Sequence, residues 1–196
     1  FLLLFLYQTG ARVQELVNIR ICDLSLDTRN IATLHGKGSK TRCIPMRQKL
    51  VEHLNNYLRM FHPGVNMYSN DTLFYSVHAH KHTRMTEDNV RKLIKNYGIQ
   101  ARAKEPTMPE NVHPHMFRHS IAMHLYQSGV PLPLISQWLG HSRLETTLIY
   151  AYADTEQKRK AIESAIPEDS TLKEFLNPER YNIDDDELIK RLYGLK

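Results

Sequence analysis

The chain has 196 residues, 41% of them hydrophobic and 24% charged, enough for one domain with a real core, or one domain plus an appendage, and a balance that argues against a disordered chain or a membrane protein. A formal charge of +5, with 11 histidines in reserve, fits an anionic partner such as nucleic acid. The two cysteines, Cys22 and Cys43, lack CxxC spacing, which speaks against a disulfide scaffold or zinc ribbon and for a reducing compartment, the cytoplasm.

Residues 1–6 are six apolar residues without the charged lead of a signal peptide and too short to span a bilayer. They read as a buried helix already under way at residue 1, and since that residue is not Met, an upstream segment is expected to be missing. Gly10 breaks this helix, and Leu16, Val17 and Ile19 give the next one an apolar face with Arg12 at its start.

Strand-like runs at 30–34 and 42–46 flank Gly36-Lys37-Gly38-Ser39-Lys40, which predicts a β-hairpin with Lys37 at its tip. Leu50, Val51, Leu54, Tyr57, Leu58 and Phe61 follow the 3.6-residue period, and Pro63-Gly64 ends that helix. A short strand is expected at 73–76. His78, His80 and His82 alternate in a polar stretch read as a flexible loop. Thr86 caps a helix carrying Val90, Leu93, Ile94 and Tyr97, and a proline-bearing loop follows at 104–111.

Pro114 suits a first helical turn, and the helix it opens runs to Gly129, with His115 and Arg118 on one face. A short helix at 131–139 closes on Gly140, and Ser142-Arg143-Leu144-Glu145 matches a capping box for a helix through Tyr150. Beyond it, 155–166 reads as helical, Pro167 interrupts, Thr171 to Glu174 offers another capping box, and the acidic run Asp184 to Glu187 starts a further helical end. The whole is mainly α with a small antiparallel β-sheet (α+β): a body at 1–166 and a C-terminal tail at 167–196.

Phosphodiester cleavage by a side chain needs a nucleophile, a base, an acid for the leaving oxygen, and cations around the phosphorus. Arginine forks two phosphate oxygens, lysine carries a mobile proton and histidine titrates near neutrality. His115 and His119 have the i, i+4 spacing of a metal pair, but no third ligand accompanies them, so neither metal nor cofactor is expected. Lys37, Lys40, Arg42, Arg47 and Lys49 form a run with no acid between 36 and 49, expected to meet phosphates.

Thr9-Gly10-Ala11-Arg12-Val13-Gln14-Glu15-Leu16 resembles the first arginine box of the tyrosine recombinase, or phage integrase, family. His35 to Arg42 resembles its lysine hairpin, His115-Met116-Phe117-Arg118-His119 its H-x-x-R box, and Leu139-Gly140-His141-Ser142, followed nine residues after His141 by Tyr150, its histidine and nucleophile boxes. Tyr152 lies about 200° further around the same helix, so it does not share a pocket with Tyr150. The likeness covers roughly 1–155.

The resemblance implies a catalytic domain of the tyrosine recombinase kind. Tyr150 would attack the scissile phosphate, leaving a 3′-phosphotyrosyl link and a 5′-hydroxyl, with no ATP or metal consumed. Arg12 and Arg118 would clamp the phosphate, Lys37 would protonate the departing oxygen, His115 would assist proton transfer from the tyrosine and His141 would bond a phosphate oxygen. Glu15 would support Arg12, His119 would back this set, and Lys40, Arg42 and Arg47 would touch DNA. The implied partners are double-stranded DNA and further protomers, as a tetramer on paired sites, with Leu172, Phe175 and Leu176 of the tail docking on a neighbour or back in cis. The resemblance also implies an upstream core-binding domain, expected to be missing here. Two alternatives stand beside this: DNA relaxation of the type IB topoisomerase kind, and a DNA-binding module without activity.

Overall fold

The computed structural model describes residues 1–27, 29–78, 81–153 and 159. In them the hydrophobic periodicities become helices α1 (Leu2–Thr9), α2 (Val13–Asn18), α3 (Gln48–Phe61), α4 (Glu87–Lys104), α5 (Pro114–Gln127), α6 (Leu132–Leu139) and α7 (Glu145–Ala153). The strands are β1 (Leu24–Ser25), β2 (Ile31–His35), β3 (Thr41–Pro45), β4 (Tyr75–His78) and β5 (Lys81–Arg84). Mainly α with small antiparallel sheets is therefore the architecture, as the sequence implied.

Several helix ends have local causes. Thr86 caps α4, its Oγ1 accepting from the backbone N–H of Asn89, while Glu87 and Asp88 in the first turn and Arg102 and Lys104 in the last complement the helix dipole. Pro114 occupies the first turn of α5, where its missing N–H costs nothing. α6 ends on Gly140 at φ +62°, with Gly140 N–H donating to Gln137 and His141 N–H to Ser136, the paired bonds of a Schellman ending.

β1, β2 and β3 form one antiparallel sheet in that order, and the β2–β3 ladder runs from Ile31 opposite Pro45 to His35 opposite Thr41. Ala32, Leu34 and Ile44 face the core and are fully buried, whereas Cys43 between them is exposed. Against this face packs the stripe Leu50, Val51, Leu54 and Leu58 of α3, together with Phe5 and Leu6 of α1 and Ile94 of α4. Phe1, Phe5, Tyr57 and Phe74 interlock as ring pairs 4.9 to 5.9 Å apart, which seats α1 on this core. A second cluster, Ala122, Ile135, Leu139 and Tyr150, joins α5, α6 and α7.

Three departures from the sequence reading have physical causes. The histidine-bearing stretch is not a loop: β4 and β5 pair with His78 opposite Lys81 and Val77 opposite His82. β5 is exposed along its whole length, so it carries no buried alternation to read, and its order comes from the ladder and from His82 stacked on Tyr75 at 4.1 Å. β1 is only two residues, too short to announce itself. α7 begins at Glu145 rather than at the Ser142 capping box. His80, the expected helices at 155–166, residue 159 apart, and at 184–187, the Thr171 capping box and the docking residues Leu172, Phe175 and Leu176 lie outside the described residues.

Candidate active site

α2 starts where its side chains can serve a cleft. Arg12 precedes it, and its backbone N–H donates to Glu15 Oε2 at 2.7 Å, closing the first turn. Its guanidinium donates to Glu15 Oε1 at 3.1 Å and to the Gly140 carbonyl at 3.2 Å, yet the side chain stays 41% exposed. Glu15 itself is buried and takes a second arginine end-on: Arg42 Nη1 and Nη2 reach its two oxygens, each at 2.7 Å. Burial alone would raise the Glu15 carboxyl, but the hydrogen bonds from Arg42 and Arg12 and their charges outweigh it and hold it below the usual carboxylate range.

Arg118 is the deepest cation. It is buried, and its guanidinium donates to the carbonyl of Gly10 at 2.7 Å and of Leu139 at 2.6 Å. Those carbonyls lie at the C-terminal ends of α1 and α6, so two helix dipoles present their negative ends to one guanidinium. Burial, then the neighbouring charges of Arg12 and Arg42, lower Arg118 to about 10, which still leaves it charged at neutral pH. Gly10 and Gly140 adopt the left-handed conformation that ends both helices beside this residue.

The hairpin tip completes the cleft. Lys37 opens a single tight turn, Lys37–Ser39, and with Lys40 it lies exposed and without an ion pair among the described residues. A cleft of about 950 Å³ is lined by Arg12, Glu15, His35, Lys37, Lys40, Arg42 and His141, among others. Among the described residues Glu15 is its one acidic lining residue, and two arginines already neutralise it, so these residues give the cleft a cationic field.

His141 enters this field from the turn after α6, its Nδ1 sharing a 2.8 Å hydrogen bond with the buried Thr147 hydroxyl. Burial first, then Arg118, Arg12 and Arg42, push its pKa down to about 4. Tyr150 of α7 is 3% exposed, does not line the cleft, and shares a 3.0 Å hydrogen bond with His119 Nδ1. Burial raises the Tyr150 hydroxyl while the charge of Arg118 pulls the other way, and His119 is lowered by burial and by His115 and Arg118.

Of the residues singled out in the sequence, the structure brings Arg12, Glu15, Lys37, Lys40, Arg42 and His141 to one cleft, while Arg118 is buried outside its lining residues, bonded to the Leu139 carbonyl next to the Gly140 carbonyl that Arg12 takes. His115 is exposed on α5, outside the lining residues, with His113 edge-on at 6.3 Å. Arg47 is exposed just ahead of α3 and also outside them. Arg42, expected to reach DNA, turns inward: its side chain is 10% exposed, and its Nε donates to the Trp138 carbonyl at 2.8 Å. Thr147 and the carbonyls of Gly10, Leu139 and Gly140 belong to the site as well; backbone groups leave no mark in a sequence. Among the described residues no cluster of three metal-ligating side chains occurs, and no helix is long and apolar enough to cross a membrane.

The family model described as the phage integrase family matches residues 1–157. The chain is 33% identical over 164 residues to the tyrosine recombinase XerA of Pyrococcus furiosus, covering 84% of this chain and 53% of that protein. It is 38% identical over 156 residues to XerD of Yersinia pestis, covering 79% and 50%. It thus spans about half the length of the curated relatives it matches. A crystal structure of the site-specific recombinase XerH bound to palindromic difH substrate, a post-cleavage complex, superposes with a TM-score of 0.63 at 27% identity, covering 82% of this chain and 43% of that one.

Proposed function

The chain belongs to the phage integrase family of tyrosine recombinases, and from that premise we propose that it is the catalytic part of a site-specific DNA recombinase working through a 3′-phosphotyrosyl intermediate. Tyr150 attacks the scissile phosphate after exchanging its His119 hydrogen bond for the phosphate. Arg12 and Arg118 hold the non-bridging oxygens, His141 bonds one of them, and Lys37 delivers a proton to the departing 5′-oxygen. His115 assists removal of the tyrosine proton, and Glu15 keeps Arg12 aimed. The phosphotyrosyl bond conserves the energy of the cleaved one, so rejoining draws on no ATP, and the cationic side chains supply the charge otherwise asked of a metal.

The observation that carries this reading is the convergence of Arg12, Lys37, Lys40 and His141 on one cleft whose only acid among the described residues is already paired. Removing one donor to a developing oxyanion typically costs about 2.7 to 4 kcal/mol, so several such groups reach the scale of an enzymic rate enhancement without being additive. The relatives, recombinases by name, favour strand exchange over relaxation. In the same proposal the catalytic domain occupies 1–166, the tail 167–196 docks on a neighbouring protomer, and four protomers assemble on paired DNA sites in the cytoplasm.

The test is a nicked suicide duplex that traps the covalent step. The wild-type chain is expected to yield a DNA adduct stable on a denaturing gel and Tyr150→Phe none. An adduct with the phenylalanine variant ends the assignment.

A further inference from the structure

His35 is a cleft residue to which the proposed chemistry gives no task. It closes the β2 ladder opposite Thr41 and lines the cleft two residues before Lys37. Its Nε2 lies 2.9 Å from Asp23 Oδ1, and the two side chains are 44% and 6% exposed, so a buried carboxylate grips a ring whose other side is open.

Asp23 is itself immobilised. Arg20 reaches it three ways, through its backbone N–H at 2.9 Å, Nε at 3.3 Å and Nη2 at 3.0 Å. Burial alone would raise the Asp23 carboxyl, but the hydrogen bonds from Arg20 and then His35 outweigh it and hold it below the usual range. As an anion it only accepts, so the ring must place a proton on Nε2. That leaves Nδ1, which has no protein partner among the described residues.

A neutral ring then offers only a lone pair at Nδ1, which does not suit a phosphate oxygen. A protonated ring offers an N–H and a charge, the combination for a charge-assisted bond to phosphate. The groups around it are Asp23 and Arg20 behind, Lys37, Lys40 and Thr41 on its own hairpin, and Arg12, Arg42 and His141 among the other lining residues. That setting suits a polyanion better than a lone protonated ring.

We propose that His35, held in place by Asp23, is a further contact for a DNA backbone phosphate beside the scissile one. It rests on the DNA reading given above and adds a binding residue to it.

The experiment measures binding of the full 196-residue chain to a labelled duplex across salt from about 50 to 200 mM, for wild type, His35→Gln and His35→Lys. With His35→Gln, affinity is expected to fall roughly five- to tenfold at an unchanged melting temperature, and the salt slope to drop by about 0.9, the value of one phosphate. His35→Lys should bind as tightly as wild type. Overturning results are a glutamine variant that matches wild type throughout, or one that weakens with an unaltered salt slope and a lowered melting temperature, the mark of a mere strut between hairpin and turn. Wild type that ignores salt or fails to bind duplex sinks the DNA reading and this contact with it, whereas steep wild-type binding with an unaffected glutamine variant sinks the contact alone.

Discussion

His119 Nδ1 and the Tyr150 hydroxyl are 3.0 Å apart, and this hydrogen bond ties α5 to α7 at a point away from the residues lining the cleft. In the proposed reaction the hydroxyl has to exchange that partner for a phosphate, so the pair acts as a restraint on the nucleophile. His119→Leu removes it and leaves a buried hydroxyl without a partner, which favours the outward position. Stability is expected to fall by about 1 kcal/mol, the net value of one hydrogen bond, while adduct formation speeds up about fivefold, the same energy read as a ratio. Urea denaturation and single-turnover adduct formation measure the two, and a slower adduct contradicts the restraint.

Glu15 holds two arginines at once, and Arg42 is the one with nowhere else to go, its side chain being 10% exposed. Glu15→Gln keeps the shape and removes the charge, leaving a buried cation uncompensated at a cost of about 3 kcal/mol. For a chain of this size that lowers the melting temperature by about 6 to 12 °C, measurable by calorimetry. An unchanged midpoint would mean that Arg42 is not buried in solution.

Gly140 combines a positive φ with a crowded side: a Cβ there would meet Arg42 Cδ and Nη1, each at 3.1 Å. Gly129 also has positive φ, but nothing lies within 4 Å of its Cβ position. Gly129→Ala is expected to lose only the left-handed backbone cost, about 1 to 2 kcal/mol, and Gly140→Ala more, because Arg42 must shift. Comparing the two variants by denaturation isolates the second effect, and equal losses would contradict it.

His141 sits well below the ordinary histidine value, at about 4. The unfolded chain therefore takes up this proton first. The stability it confers is complete above about pH 6.5 and is lost as pH falls through 4. The size is on the order of 1 to 2 kcal/mol once screening of a partly exposed ring is allowed for. Melting temperature against pH should fall across this window and fall less in His141→Gln, with a residual slope from His119, which is lowered too. Glu15 and Asp23, both lowered, act only below their ordinary values of 4.5 and 3.8, so above pH 4.5 the histidine contribution is read without theirs.

Much of the site was legible because its residues sit at features with strong local signals. Lys37 follows a glycine at a hairpin tip, Arg12 opens a helix, Arg118 falls on a helix that Pro114 starts, and Gly140 ends another. What stayed hidden is direction. Arg42 looks solvent-facing within a basic run, and only the fold brings Glu15, 27 residues earlier, against it. Tyr150 could be placed on a helix, but which way that helix turns its hydroxyl depends on α5 and α6 packing beside it. The β4–β5 ribbon escaped notice because polar, exposed strands have no inside to alternate with.

The two carbonyls that hold Arg118 flank it in sequence at very different distances: Gly10 is 108 residues before it and Leu139 is 21 after it. Until the first and sixth helices have both docked on the fifth, this guanidinium has no fixed address. An anion that binds only the assembled native state therefore stabilises the fold as a whole, and sulfate or phosphate held this way is expected to raise the melting temperature in proportion to the logarithm of its concentration once that exceeds the dissociation constant.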